Sequence, residues 1–472
     1  MATSVSPITS MNPATEEVLA RFDPFTPEEV DRALDDARDA FVAWRARSVA
    51  ERAKPMRRLA ALLRDRADRY GRLITIEMGK PIVEAKAELE KCAWGCDHYA
   101  DNAAAYLADE VIETNARRSI VAFEPLGIVL AVMPWNFPFW QVIRFGAPAL
   151  MAGNAAVLKH ASNVPQCALA IEEVIRDAGF PEGLLRTLLL AGAQVEPVID
   201  DPRVRAVTLT GSSDTGSRIA ALAGRALKKS VLELGGSDPY IVLADADLDA
   251  AAKVGARARN QNTGQSCIAA KRFIAVEPVL RDFERRFAAE VESLRLGDPL
   301  DPRTQIGPLA RADLRDTLER QVRESVRMGA RVLAGGERVA GRGWFYQPTV
   351  LTDVTEEMPV FKEETFGPVA AVLRARDPDD AVRVANDSAY GLGASLWTRD
   401  LALGEALARR IESGAVFVNG MVASDPRLPF GGVKRSGYGR ELSAFGIREF
   451  TNVQTIWVGP ARDAQPATPQ GE

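Results

Sequence analysis

Residues 127–133 read Gly-Ile-Val-Leu-Ala-Val-Met, a short apolar run with the length and composition of a buried strand. Similar runs recur along this part of the chain, and segments with helical patterns separate them. Strands that alternate with helices are typical of a parallel, doubly wound sheet, so the fold class is predicted to be α/β. The other predicted elements are strands at 155–159, 204–210 and 230–234 and helices at 165–178 and 212–227.

Chemically useful residues stand at or just past the ends of these four predicted strands. They are Asn136, Lys159, Gly211 and Glu233. Because a doubly wound sheet binds its ligands at the carboxyl ends of its strands, we expect these residues to line one site.

Further elements are predicted before and after this sheet. Residues 26–106 predict consecutive amphipathic helices, and residues 235–434 repeat the mixed α/β character. Alternating polar and apolar residues at 117–124 and 448–458 predict a β-ribbon. A tail rich in Pro, Ala and Gln begins at Pro460 and is expected to be disordered.

The composition excludes several classes of protein. The 472 residues are 47% hydrophobic and carry a formal net charge of -5, so the chain has ample core and no electrostatic footprint for nucleic acid or an anionic membrane. No signal peptide or membrane span is evident. Any anionic substrate must therefore be held by a few local Arg or Lys residues.

The four cysteines are too few and too scattered for a disulfide framework, which favours a reducing cytoplasm. Cys92 and Cys96 share a predicted helix face, and core packing is their expected role. With only two histidines in the chain, we predict no metal site and no histidine-dependent hydrolase.

Cys267 lies in Asn-Thr-Gly-Gln-Ser-Cys-Ile at 262–268, the one cysteine framed by small and amide residues. A thiol attacks a carbonyl as the thiolate, which needs backbone and amide dipoles nearby. Upstream, Glu233 stands in Leu-Glu-Leu-Gly-Gly at 232–236, where its carboxylate could activate water as a base. A solvated turn residue is the alternative for Glu233.

At these residues the chain resembles the aldehyde dehydrogenase superfamily, and the resemblance extends over nearly its whole length. It implies that Cys267 is the nucleophile and Glu233 the general base. The motif Pro-Trp-Asn-Phe-Pro at 134–138 matches as well, and implies that Asn136 forms an oxyanion hole with the backbone amide of Cys267. An aromatic-rich turn under the core is the alternative for this motif.

The resemblance also implies a nicotinamide coenzyme. The turn Thr-Gly-Ser-Ser-Asp-Thr-Gly at 210–216 places backbone amides at a helix N-terminus, where they could bind a pyrophosphate through Gly211, Ser212 and Gly216. It is neither a Gly-x-Gly-x-x-Gly fingerprint nor a P-loop, so a tight turn without a ligand is the alternative. The resemblance places Glu364 on the nicotinamide ribose and Phe366 near the nicotinamide, and Trp135 is assigned to the coenzyme with them.

The choice of coenzyme depends on Lys159-His160-Ala161-Ser162. Lys159 resembles the lysine that contacts the adenine ribose in the family, and NAD-preferring members usually have Glu where this chain has Ser162. A neutral serine does not repel a 2′-phosphate as a carboxylate would, so NADP is predicted to be preferred over NAD. Alternatively, Ser162 or Asn163 caps the helix that Pro165 helps to begin.

The substrate prediction depends on Arg144 and Ser424. In members that act on succinic semialdehyde, an arginine and a serine at these places hold the distal carboxylate, and a guanidinium suits that planar group. The alternatives are a surface salt bridge for Arg144 and a loop hydrogen bond for Ser424. Animal members carry a second arginine where this chain has Gln261, so we expect the carboxylate to be held more weakly or differently here. They also carry a second cysteine where this chain has Ala269, so no disulfide beside Cys267 is expected.

The predicted function is oxidation of succinic semialdehyde to succinate with NADP or NAD, through a cysteine thiohemiacetal and thioester. The alternatives are another semialdehyde such as glutarate semialdehyde, general aliphatic aldehydes, acyl transfer to coenzyme A, and a non-catalytic structural or binding protein. Glu233 argues against coenzyme A, since acylating members generally lack it.

By resemblance the chain has three parts and assembles as a homodimer or homotetramer. The expected parts are a Rossmann-type coenzyme-binding domain at 1–109 and 126–234, a catalytic domain at 235–436, and an oligomerisation element at 110–125 and 437–459, with the tail at 460–472.

Overall fold

The structure is a computed structural model that describes residues 7–459, so the tail predicted at 460–472 lies outside the described residues. Helices and strands alternate along most of the chain after four initial helices. The helices are α1 Pro27–Arg45, α2 Val49–Asp65, α3 Ala67–Met78, α4 Ile82–Tyr106, α5 Pro138–Met151, α6 Pro165–Asp177, α7 Val195–Asp200, α8 Ser213–Arg225, α9 Leu248–Asn260, α10 Leu280–Glu292, α11 Ala312–Arg327, α12 Pro359–Lys362, α13 Pro378–Asn386, α14 Leu401–Ala408 and α15 Ser443–Glu449. The strands are β1 Ile8–Met11, β2 Val18–Phe22, β3 Glu110–Val111, β4 Arg118–Pro125, β5 Ile128–Met133, β6 Ala155–His160, β7 Leu185–Thr187, β8 Val204–Thr210, β9 Lys229–Glu233, β10 Asp238–Val242, β11 Ala270–Val276, β12 Arg331–Ala334, β13 Thr349–Thr352, β14 Val369–Ala375, β15 Tyr390–Gly391, β16 Gly393–Trp397, β17 Ala415–Val418, β18 Val433–Lys434, β19 Gly437–Tyr438 and β20 Thr451–Val458.

The first sheet contains the four strands predicted from sequence, in the order β19-β9-β8-β5-β6-β7. Its neighbours are parallel except for β19, which is antiparallel to β9. The chain runs outward from β5 through β6 to β7, then returns to β8 and β9 on the other side. The strand order therefore reverses between β5 and β8, and a doubly wound sheet binds ligands at such a reversal. The predicted α/β fold is confirmed, with element ends shifted by one or two residues.

A second sheet has seven strands in the order β12-β13-β14-β11-β10-β16-β17, and only the β12 pairing is antiparallel. Four residues, 234–237, connect the end of β9 in the first sheet to the start of β10 in the second. Glu233 is the last residue of β9, and the cysteine segment leads into β11 beside β10. The two catalytic candidates thus come from different sheets that meet at this short connection.

The N-terminal helices form as the sequence pattern predicts. Thr26 begins α1 with a capping box. Its side chain accepts the backbone N–H of Glu29, and the Glu29 side chain accepts the backbone N–H of Thr26. Cys92 and Cys96 lie fully buried on α4, in agreement with their expected packing role. Within residues 7–459, no helix combines the length and the apolar character needed to cross a membrane.

A third sheet of three strands, in the order β20-β4-β3, corresponds to the predicted ribbon. The sequence prediction was wrong about where its last strand begins: Arg448 belongs to α15, and the strand starts at Thr451. Residues 437 and 438, at the start of the expected oligomerisation element, pair with β9 of the first sheet. Strand β20 has an open edge, and most of its side chains are exposed.

The start of α5 is held by a buried carboxylate from α4. Glu88 accepts hydrogen bonds from the backbone N–H groups of Phe139 and Trp140, both at 2.9 Å, and forms an ion pair with Lys80. The side chains of Glu88 and Lys80 are essentially inaccessible to solvent. Because α5 follows Asn136 directly and carries Arg144, this pair fixes the position of two candidate site residues.

The substitution Lys80→Met should lower the free energy of unfolding by about 3–5 kcal/mol, because it leaves Glu88 as an uncompensated buried charge. Lys86→Met is the matched control: Lys86 lies on α4, as Glu88 does, and its pair with Asp68 is exposed, so its loss should cost at most about 1 kcal/mol. Chemical denaturation of the three proteins measures both changes. Equal stabilities for the two variants would contradict the role given to the buried pair.

Candidate active site

The segment that carries Cys267 has an unusual backbone. Asn262 and Thr263 both have φ of 55° and Gly264 has φ of 73°, so three consecutive residues adopt the left-handed region. For residues other than glycine this conformation costs roughly 1–2 kcal/mol each. The Glu84 carboxylate accepts the backbone N–H of Asn262 at 2.6 Å and holds the segment in this shape.

Asn262 also joins this segment to the Asn136 turn. Its side-chain amide donates to the backbone carbonyl of Asn136 at 2.7 Å and to that of Gln265 at 3.0 Å. The side chain of Asn136 donates to the same Gln265 carbonyl at 3.1 Å. The structure therefore brings Asn136 and the cysteine segment together, as the sequence predicted.

Two hydrogen-bond donors remain open beside Cys267. An Asn side chain has two N–H groups, and Asn136 uses one of them on Gln265, which leaves the second. The Gln265 carbonyl also fixes the amide orientation, because a flipped amide would place two oxygens against each other. Among the described residues, none accepts a hydrogen bond from the Cys267 backbone N–H. This pair of donors has the composition of an oxyanion hole.

The Cys267 thiol is half-buried, and burial raises its pKa to about 12. The nearby cations Arg144 and Lys271 lower the pKa, but by less than burial raises it. Lys271 donates to the backbone carbonyls of Ser266 at 3.0 Å and Cys267 at 2.9 Å. No basic neighbour of Cys267 was evident from the sequence. The turn at 267–269 brings Lys271, four residues later, back beneath the cysteine.

Glu233 is 2% exposed, and neither of its carboxylate oxygens has a hydrogen-bond partner among the described residues. Burial raises its pKa well above the ordinary value, and the nearby Glu441 raises it further, whereas Arg144 lowers it. A side chain at Gly431 would come within 2.8 Å of the Glu233 carboxylate, so the Pro-Phe-Gly-Gly motif leaves room for this group. Glu233 is thus not a solvated turn residue.

The Gly-Gly turn after Glu233 packs on the cysteine segment. A Cβ atom on Gly236 would lie 2.6 Å from the carbonyl oxygen of Cys267, so only glycine permits this approach. The Gly236 backbone N–H donates to Glu364 at 3.0 Å, and Glu364 lies 3.7 Å from Lys271. Burial raises the pKa of Glu364 and Lys271 lowers it. Glu364 therefore contacts the Gly-Gly turn after Glu233 and lies near the lysine that binds the Cys267 carbonyl.

The positions predicted to choose the coenzyme lie at the end of β6. Helix α6 has Val164 as its N-cap with no side-chain cap, so the alternative role for Ser162 or Asn163 is wrong. Glu77 instead accepts the first N–H groups of α6, from Gln166 at 3.1 Å and Cys167 at 2.9 Å. The exposed Ser162 hydroxyl thus remains available to a ligand.

Lys159 has no ion-pair partner among residues 7–459, and burial lowers its pKa. A lysine without a carboxylate partner and a serine with an unused hydroxyl have the donor chemistry that a 2′-phosphate requires. The residues present therefore fit NADP.

The remaining coenzyme candidates surround the strand reversal. Ser212 is the N-cap of α8 and accepts the Thr215 N–H at 3.3 Å, with Gly211 directly before it. Packing explains why residue 216 is a glycine, since a Cβ atom there would lie 2.4 Å from the side chain of Leu234. Two aromatic candidates touch each other: the rings of Trp135 and Phe366 meet edge to face at 5.7 Å between centroids.

Arg144 is buried rather than part of a surface salt bridge, so that alternative is wrong. Its guanidinium forms an ion pair with Glu441, donates to the Thr210 hydroxyl at 3.2 Å, and stacks 4.7 Å from the ring centroid of Phe430. Binding of a substrate carboxylate by Arg144 stays a prediction.

Ser424 is also buried, and its hydroxyl accepts a hydrogen bond from Lys91 on α4 at 2.6 Å. Lys91 and Glu441 were not identified from the sequence. Both belong to segments whose local pattern carries no chemical motif, and they reach the site only through tertiary packing.

The aldehyde dehydrogenase family model matches residues 1–456. The chain belongs to the aldehyde dehydrogenase family. One relative in this family is succinate-semialdehyde dehydrogenase (NADP+) 1 of Mycobacterium tuberculosis, which is 51% identical over 455 residues, 96% of this chain and 100% of the relative. The succinate-semialdehyde dehydrogenase (NADP+) of Mycobacterium avium is 50% identical and covers 97% of this chain and 98% of its own length.

A solved aldehyde dehydrogenase structure agrees with this assignment. The succinic semialdehyde dehydrogenase of Streptococcus pyogenes, in complex with NADP+ as the cofactor, has a TM-score of 0.94 and 38% identity. The match covers 96% of this chain and 100% of that one. The predicted family is therefore confirmed, and the α/β fold is that of an aldehyde dehydrogenase.

Iodoacetamide should alkylate Cys267 alone in the folded protein, because Cys92, Cys96 and Cys167 are fully buried. Without coenzyme, the rate constant should rise about tenfold per pH unit between pH 7 and pH 9, since the thiolate fraction rises tenfold per unit below the pKa. Peptide mass spectrometry over time measures this rate. A plateau below pH 9 would contradict a pKa raised to about 12.

Proposed function

We propose that this chain oxidises succinic semialdehyde to succinate with reduction of NADP. The observation that carries the proposal is a pair of neighbouring cations: Arg144 lies near Cys267, and Lys91, which has no ion-pair partner among the described residues, lies near Arg144. Such a site favours an aldehyde whose far end is a carboxylate. The names of the Mycobacterium tuberculosis and Streptococcus pyogenes proteins support the same substrate class and coenzyme.

The residues divide the reaction into two stages. In the first, the Cys267 thiolate forms a bond to the aldehyde carbon, and the developing oxyanion accepts hydrogen bonds from the Asn136 amide and the Cys267 N–H. NADP, when bound, supplies the hydride acceptor that takes the carbon to the thioester level. A donor of the Asn136 kind typically contributes about 3 kcal/mol to transition-state stabilisation.

In the second stage Glu233 removes a proton from water, which attacks the thioester carbonyl; the carbon–sulfur bond breaks and releases succinate and the thiol. Because the pKa of Glu233 is raised, its basic form becomes populated only as the pH rises. Activity is therefore expected to increase from the acid side towards neutral and alkaline pH.

The coenzyme is held by residues at the strand reversal. We assign Lys159 and Ser162 to the 2′-phosphate and adenine ribose, and the α8 N-terminus at Gly211 and Ser212 to the pyrophosphate. In this assignment Glu364 binds the nicotinamide ribose, and the Trp135 and Phe366 rings pack beside the nicotinamide.

The cations of this site also allow a longer semialdehyde such as glutarate semialdehyde, because a cation selects for a carboxylate rather than for a chain length. General aliphatic aldehydes are the other candidate. Both are decided by the comparison of substrates below.

We also propose the three-part division of the chain and a homodimer or homotetramer in the cytoplasm. The open edge of β20 supports the assembly: Val453 and Trp457 on this strand are 63% and 52% exposed. An exposed strand with apolar side chains favours pairing with another chain.

Steady-state kinetics with succinic semialdehyde and butanal, an uncharged aldehyde of similar length, test the proposed function. With NADP, kcat/KM for succinic semialdehyde should exceed that for butanal at least a hundredfold, about 2.7 kcal/mol. Glutarate semialdehyde in the same assay tests the longer substrate. Equal turnover of butanal would overturn the semialdehyde proposal while leaving the chain an aldehyde dehydrogenase.

The substitution Ser162→Glu should lower kcat/KM for NADP at least tenfold and change that for NAD much less, because the new carboxylate repels the 2′-phosphate. The matched control is Ser162→Ala, which removes the hydroxyl without adding charge and should cause a smaller loss with NADP. Initial rates with each coenzyme measure the ratio of kcat/KM for NADP to kcat/KM for NAD. An unchanged NADP preference in Ser162→Glu would contradict the assignment.

A further inference from the structure

We infer that Lys91 is a substrate-binding residue that determines specificity, with its ammonium group as the main cationic contact for the distal carboxylate of the substrate. The inference rests on the proposed function and names a residue that the sequence motifs did not indicate. It is carried by the geometry of Lys91 and by the way the surrounding charges are paired.

Lys91 approaches the site from α4. Its Nζ atom donates to the Ser424 hydroxyl at 2.6 Å and lies 4.8 Å from the ring centroid of Trp140. A lysine ammonium has three N–H donors, so one hydrogen bond to Ser424 leaves two that can reach a ligand. The neutral hydroxyl and the ring face orient the ammonium group without neutralising it.

The acidic groups nearest to Lys91 already have other partners. On the same helix, Glu88 is paired with Lys80. In the loop after β17, Asp425 receives two hydrogen bonds from Arg427, at 2.9 and 2.6 Å. Within the described part of the chain, no ion pair involves Lys91.

Arg144 differs from Lys91 in this respect. Its guanidinium is paired with the buried Glu441 and also donates to Thr210. The Arg144–Glu441 pair has no net charge when Glu441 is ionised, which leaves Lys91 as the uncompensated cation. A substrate carboxylate at Lys91 would therefore complete the charge pairing of this region.

The pKa of Lys91 is lowered to about 8, mainly by burial and further by the neighbouring Arg144, while Glu88, Asp425 and Cys92 raise it. Burial removes water from the ammonium group, so the charged form is less stable here than in solvent. A bound carboxylate offsets that cost, whereas an uncharged aldehyde does not. Selection for a carboxylate follows from this difference.

The position of α4 explains how Lys91 can act where a second arginine is missing. Glu84, on the same helix, accepts the N–H of Asn262, the residue after Gln261. Lys91 follows Glu84 by seven residues, two helical turns, so α4 runs from the cysteine segment to Ser424. The second cation thus comes from a helix rather than from position 261.

The test compares Lys91→Met, Lys91→Arg and the control Lys86→Met. Met keeps the packing length against Trp140 but carries no charge, and Lys86 is an exposed lysine of the same helix. In Lys91→Met, the ratio of kcat/KM for succinic semialdehyde to that for butanal should fall at least tenfold, mainly through KM. Lys91→Arg should keep most of the ratio, and Lys86→Met should keep all of it.

A pH profile gives a second readout. Above pH 8 Lys91 loses its proton, so the same ratio should decline as the pH rises in the wild-type protein. Titration of Cys267 and Glu233 affects both substrates and cancels in the ratio. Lys91→Arg, which stays charged, should abolish the decline.

The outcomes separate the two proposals. A wild-type protein that does not prefer the semialdehyde overturns the proposed function itself. If Lys91→Met keeps the wild-type preference for the semialdehyde, only the role of Lys91 is overturned. An equal loss of kcat/KM for both aldehydes would also overturn that role, because it would indicate a structural effect.

Discussion

The side-chain amide of Asn262 joins the two elements of the site, because it donates both to the Asn136 carbonyl and to the Gln265 carbonyl. In the same segment Asn262 and Thr263 adopt left-handed backbone conformations, and Glu84 on α4 accepts the Asn262 N–H. Once this segment is fixed, the Cys267 N–H and one N–H of the Asn136 amide remain available to an oxyanion. Cys267 and the donor pair beside it thus depend on one strained turn.

Burial shapes the chemistry of the two reacting groups in the same way. It raises the pKa of both Cys267 and Glu233, so burial favours the neutral form of each group. Around them, charges occur as pairs or against carbonyl groups: Arg144 with Glu441, and Lys271 with the Ser266 and Cys267 carbonyls. Lys91 departs from that pattern, which makes it the place where an anionic substrate adds stability.

Sequence motifs predicted the fold and indicated the residues that we propose perform the reaction. Cys267, Glu233 and Asn136 stand in distinctive local contexts, and the apolar runs at 127–133 and 204–210 predicted β5 and β8. Local sequence patterns were less informative about which charged residues form ion pairs. The pairing of Arg144 with Glu441 joins residues nearly 300 positions apart, and nothing near either residue indicates it.

The sequence by itself determined the alternation of strands and helices, the family and the identity of the chemical groups, because these depend on periodicity and on short motifs. Only the tertiary structure decided which cations are paired, which hydroxyls are free and how far each pKa moves. Those properties depend on burial and on distances between remote residues. Ser162 is free because Glu77 binds the start of α6 instead, and Lys91 belongs to the site because α4 passes Ser424.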